Sequence, residues 1–166
     1  MPLLEIRRGP VPLLSLLLPL LLWLPAAAPL HAAGKTANVT ATRNLSYGRF
    51  AATNTSGTII LSAAGVRSKT GGVVLISGGT ITSASFNLGQ TGTGKSGVFS
   101  TIILPNSVQL ISGANSMTVD NFVSDPAGTV FGTGRTVVQV GARLNVASNQ
   151  APGNYSGTFM VTVNYQ

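Results

Sequence analysis

Period-two alternation constrains this chain more than any other feature, and it is clearest in the last fourteen residues, Gly153 to Gln166. Tyr155, Gly157, Phe159, Val161, Val163 and Tyr165 take the odd positions, and Ser156, Thr158, Met160, Thr162, Asn164 and Gln166 take the even ones. Side chains on a strand alternate between two faces, so the stretch reads as a ribbon with one apolar and one mostly polar face. Only Met160 falls on the wrong side. No helix period runs through it, and its valines, threonines and aromatics suit a pleated, half-buried surface.

The same signature recurs upstream. Ala37, Val39 and Ala41 open a first strand that runs to Leu45, and Leu45-Ser-Tyr-Gly48 reads as a turn. Thr58 to Ser62 gives a short apolar run. Gly71-Gly72 and Gly78-Gly79 bracket Val73 to Ser77, which reads as a buried strand. Ala84, Phe86 and Leu88 alternate, as do Val98, Ser100, Ile102 and Leu104 up to Pro105, where proline ends a strand. Val108 with Leu110 and Met117 with Val119 give shorter strands, and a polar loop surrounds Ser124 to Gly128. Val138, Val140, Ala142, Leu144 and Val146 form a second long run, and the turn at Asn149 to Asn154 predicts a hairpin joining it to the terminal ribbon. Turn signals recur at about 8–12 residues, as in a sandwich or barrel. The expected fold is all-β, an antiparallel β-sandwich.

The N-terminus has a different composition. Arg7 and Arg8 precede the leucine-rich Leu13 to Leu24, and small residues follow from Pro25 to Ala33. Basic, apolar, then small is the order of a secretory signal. The expected organisation is a cleaved signal over residues 1–32 and a single sandwich domain over 33–166, with the protein secreted, periplasmic or at the cell surface. A membrane anchor is the competing reading, because Val11 to Leu30 would span about 30 Å. Pro12, Pro19, Pro25 and Pro29 and the lack of a positive charge close behind the run argue against it, so no stable membrane insertion is expected after cleavage.

Cleavage would remove His31, the only histidine, and Glu5. Eight cations then face Asp120 and Asp125, a net charge of +6. The cations are scattered rather than grouped along a groove with aromatics, so nucleic acid is not an expected partner. With no cysteine, no disulfide supports the fold and soft metal ligands are missing. General acid–base catalysis wants a histidine or paired carboxylates, so no enzyme, cofactor or metal is expected.

One motif points elsewhere. Gly89-Gln-Thr-Gly-Thr-Gly-Lys95-Ser96 matches the phosphate-binding loop, which cradles nucleotide phosphates only when a helix starts at its end. The next residues, Gly97 to Pro105, alternate like a strand, so ATP is not an expected partner and residues 89–96 read as a hairpin loop. An outer-membrane barrel would need strands of about ten residues, roughly twice the length read for most strands here.

Several of these segments resemble the DUF4402 domain, an uncharacterised bacterial family: Leu45-Ser-Tyr-Gly48, Thr70 to Leu75, Met117 to Phe122, and Asn149 to Phe159 with its Val-Thr-Val-Asn-Tyr-Gln ending. The ending is also similar to that of spore coat protein U-type secreted proteins and chaperone–usher pilins, with Tyr165 penultimate and Gly153 fourteenth from the end. The resemblance implies an immunoglobulin-like, pilin-like sandwich, export, and assembly into surface structures. It departs from many pilins in having no cysteine and no evident N-terminal donor strand; Ala33 to Ala41 would either serve or pair within its own subunit.

The expected function is therefore that of a non-enzymatic structural subunit working by strand addition, with a periplasmic chaperone or like subunits as partners. The candidate interface is Gly153, Tyr155, Phe159, Val161, Val163 and Tyr165. A secreted adhesive or carbohydrate-binding module is the alternative, and nucleotide binding through residues 89–96 a weaker one.

Overall fold

A computed structural model describes residues 36–91, 98–132 and 136–165, so the expected signal segment lies outside the described residues. The described chain is built from ten strands: β1 (Thr36–Arg43), β2 (Ser46–Leu61), β3 (Arg67–Thr82), β4 (Ala84–Thr91), β5 (Val98–Ile103), β6 (Ser107–Ser112), β7 (Asn115–Asp125), β8 (Thr129–Gly132), β9 (Thr136–Val146) and β10 (Thr162–Tyr165). All pairings are antiparallel. The result is an all-β, sandwich-like arrangement of two sheets with no closed barrel.

β9 is the hub of the larger sheet. Its alternation sends Val138, Val140, Ala142, Leu144 and Val146 into the core, each of them buried. β4 pairs with its first half and β2 with its second, both along one edge, while β7 pairs along the other. Gly141 lies at the seam between β4 and β2. A Cβ there would overlap the carbonyl oxygen of Leu61 and the backbone of Ser62, so only glycine lets the end of β2 pass this close. β1 adds to β4, β3 to β2 and β6 to β7, and the smaller sheet has the order β10-β5-β8.

Two apolar clusters fill the interior. Tyr47, Ile59, Leu61, Val73, Met117, Val119 and Leu144 centre the first; Ala84, Leu88, Ile102, Val138 and Val140 centre the second. Full burial of each aliphatic side chain contributes about 1.5–3 kcal/mol relative to exposure. From Asn38 to Arg43 the side chains of β1 are exposed, and none of these residues belongs to either cluster. From Thr36 onward the segment pairs within its own subunit, against β4.

Four expectations need correction. First, β9 and the terminal ribbon are not a hairpin: β9 is enclosed by β2, β4 and β7, and the chain leaves it to pair Thr162–Tyr165 with β5 in the other sheet. Alternation identifies a buried face but not the neighbour that shares it. Second, β2 and β3 are each 16 residues long rather than short. Third, Leu45-Ser-Tyr-Gly48 is not a turn, because Gly48 takes φ 71° at a register shift inside β2 and Tyr47 is buried. Fourth, the paired glycines do not bound a strand. They lie within β3, where Val73 is the one fully buried residue of the expected buried run.

The β2–β3 hairpin is irregular in a way that matters for the site. Its register slips between Ala52 and Gly57, leaving Thr53 to Ser56 without ladder partners in β3. The slip bends the hairpin back on itself. Arg67, the ladder partner of Leu61, donates to the carbonyls of Tyr47 at 2.8 Å and Arg49 at 3.1 Å. Without the bend, a strand rise of about 3.4 Å per residue would place these groups well beyond the reach of one side chain.

Candidate functional site

The bend leaves Ser46–Ala52 with β3 on one edge and, among the described residues, no strand on the other. A second bare stretch faces it. After β9 the chain turns at Asn149, whose φ of 53° is one that asparagine tolerates. The Asn149 N–H donates to the Thr53 carbonyl at 2.7 Å, tying the two stretches together at that end. The Tyr155 hydroxyl donates back to the Ala151 carbonyl at 2.7 Å and accepts from Gln150 Nε2 at 2.8 Å, which braces the turn. Ser156 and Ile111 exchange a single pair of backbone bonds, 2.8 and 3.1 Å. From Gly157 to Val161 no strand pairing exists among the described residues, and ladder bonds resume at Thr162 with Ile103.

Between the two stretches lies a groove of about 910 Å³. Residues 43–47 and 49–52 line one side and residues 150–159 the other, and Val108, Leu110, Met117, Val119, Phe122 and Leu144 line its interior. Its interior is therefore apolar and its rims mixed. Among the described residues, the charged side chains along it are Arg43 and Arg49, and no carboxylate lines it. Arg43 is held by the Ser83 carbonyl at 2.8 Å and the Ser83 hydroxyl at 3.0 Å, whereas Arg49 is exposed.

Tyr47 also lines the groove. Its hydroxyl is buried and, among the described residues, finds no hydrogen-bond partner. Burial, helped by the negative charge of Asp120, pushes this phenol well above the ordinary tyrosine range. Across the β7–β9 ladder, Arg143 and Asp120 form a two-pronged ion pair at 2.8 and 2.9 Å. Hydrogen bonding to Arg143 lowers the Asp120 carboxyl below its usual value, and the same bond raises Arg143.

The expected interface residues are brought to one strip, with the side chains of Tyr155, Phe159, Val161 and Val163 turned inward. Tyr155 packs on the first cluster, and Phe159, Val161 and Val163 pack on the second. Phe159 meets Phe86 edge-on at 6.0 Å and Phe122 at 5.1 Å. Gly153 is exposed, and a Cβ there would overlap the Ser112 hydroxyl. Tyr165 pairs with Ser100 at the edge of the smaller sheet. The strip thus uses its apolar face to hold its own fold and leaves backbone, not side chains, unpartnered. The facing wall, Ser46 to Ala52, was not singled out from the sequence. Its signal is the alternation Leu45, Tyr47, then Phe50 and Ala52, whose phase changes at Gly48.

Gly89 to Thr91 end β4, Lys95 and Ser96 lie outside the described residues, and β5 follows at Val98 as a strand rather than a helix. Among the described residues no group of three or more His, Cys, Asp or Glu side chains comes together to hold a metal.

No curated protein and no solved structure matches the chain. A family model, the domain of unknown function DUF4402, matches residues 37–165, nearly the whole span described. By that match, the chain belongs to the DUF4402 family.

Proposed function

We propose that this is an exported, non-enzymatic structural protein, a pilin-like subunit or surface-assembly protein that works by strand addition. The observation that carries this reading is a pair of stretches beside one groove: Ser46–Ala52, paired on one edge only, and Gly157–Val161, outside any strand among the described residues. Unpaired N–H and C=O groups in a sheet are a template for another backbone, and main-chain bonds supply affinity when a strand is added. β10, at the edge of its sheet, continues the same line. The partners are a periplasmic chaperone or like subunits, and the strip from Gly153 to Tyr165 is one wall of the interface.

Electron microscopy of cells overexpressing the gene, beside size-exclusion chromatography of the exported chain, tests the proposal. Surface fibres, or a complex that exchanges strands, are expected. An exported chain that stays monomeric, forms no surface structure and retains no partner on gentle purification would refute it.

A further inference from the structure

We infer that the groove takes a strand from a different protein, an extended segment alternating apolar side chains and carrying a carboxylate, rather than a strand of a second copy. This rests on the strand-addition reading and adds to it the chemistry of the partner.

Shape and bonding select an extended backbone. The groove, about 910 Å³, lies between Ser46–Ala52, whose second edge carries no strand among the described residues, and residues 157–161, which lie outside any described strand. Strands pair at about 4.7–4.9 Å, so a chain laid between the walls can bond to either edge, whereas a compact ligand leaves most of these groups unmatched.

Charge selects the partner. Among the described residues, the groove has Arg43 and Arg49 and no carboxylate. Arg43 is already committed to Ser83, which leaves Arg49 to discriminate. A second copy is a poor match, because the chain has ten cations against three acidic residues. Asp120 is held by Arg143, while β1 would bring Arg43, and β3 would bring Arg67 and Lys69. Like charges brought together across an interface suppress a pairing, and opposite ones steer it.

The test uses the purified exported chain and fluorescence anisotropy with three labelled peptides. One alternates valine and threonine around a central aspartate, the second has lysine in its place, and the third is the chain's own Lys35–Asn44 segment. At low salt the aspartate peptide is expected to bind at least about fivefold more tightly than the lysine peptide, a ratio in keeping with an exposed ion pair. The ratio should shrink in about 1 M salt, where charges are screened. Arg49→Glu should reverse the preference, Arg49→Gln should level it, and Ala51→Trp should block all binding. Arg49 and Ala51 are both exposed, so these variants keep the core intact. Equal binding of the first two peptides, or tighter binding of the chain's own segment, would overturn the acidic partner and leave strand addition standing. Failure of all three to bind would overturn the groove as a strand site.

Discussion

Arg67 Nη1 lies 2.8 Å from the carbonyl oxygen of Tyr47, although twenty residues separate them and Arg67 pairs with Leu61 at the far end of the hairpin. This bond, with the second one to Arg49, fastens the bent hairpin and positions the bare edge of β2 beside the groove. Arg67→Ala should therefore lower stability by about 2 kcal/mol, since bonds from a charged donor contribute more than neutral ones. Arg67→Lys should recover only part of the loss, because an ammonium cannot reproduce the planar fork. Urea unfolding of the three proteins measures both effects.

Tyr47→Phe should act in the opposite direction. Removing a buried hydroxyl without a partner should raise stability by about 1 kcal/mol. The pH dependence changes too. Burial raises the phenol pKa in the folded state, so the unfolded chain ionises first, near the ordinary value of about 10. The stabilisation is complete below that pH and is lost as pH rises toward the folded value. Alkaline titration followed by circular dichroism should show a smaller loss for Tyr47→Phe than for the natural chain.

The Asp120–Arg143 pair governs the acid side. Its carboxyl is lowered by the bond from Arg143, so its contribution is present above the ordinary aspartate value of about 3.9 and is lost as pH falls through the lowered one. Both side chains are partly exposed, at 24% for Asp120 and 35% for Arg143, so the effect should be small. Asp120→Asn should leave the natural chain and the variant closer in stability at pH 2 than at pH 6, as read from melting curves.

Gly141→Ala should be strongly destabilising. The added methyl meets backbone from Leu61 to Ala63, which cannot move without opening the β2–β9 ladder. Overpacking of this kind costs about 1–3 kcal/mol, and here no flexible side chain relieves it. A drop in melting temperature larger than that for Gly89→Ala, where a Cβ would meet only the Asn38 carbonyl at 3.9 Å, is the expected comparison.

Local chemistry made some of this molecule readable and concealed the rest. The alternation from Val138 to Val146 marked the buried strand correctly, and Pro105 marked the end of β5. Irregular strands were concealed because each extra residue resets the face. Asn121, at φ 47°, sits in a register shift of β7, so Met117 and Val119 point inward before it and Phe122 after it. The same effect at Gly48 and at Thr53 to Ser56 split β2 into fragments when only spacing was visible. Of the candidate site, the C-terminal wall was legible because its rhythm is unbroken. The opposite wall depends on a fold-back that no local pattern encodes.

The bond from Asn149 to Thr53 closes one end of the groove. Any chain lying there meets a stop, so it cannot slide along the edges by one residue and flip its side chains. Depth of entry would then fix alignment, and a guest too short or too long would be sensed at the far mouth, near Arg43 and Phe159.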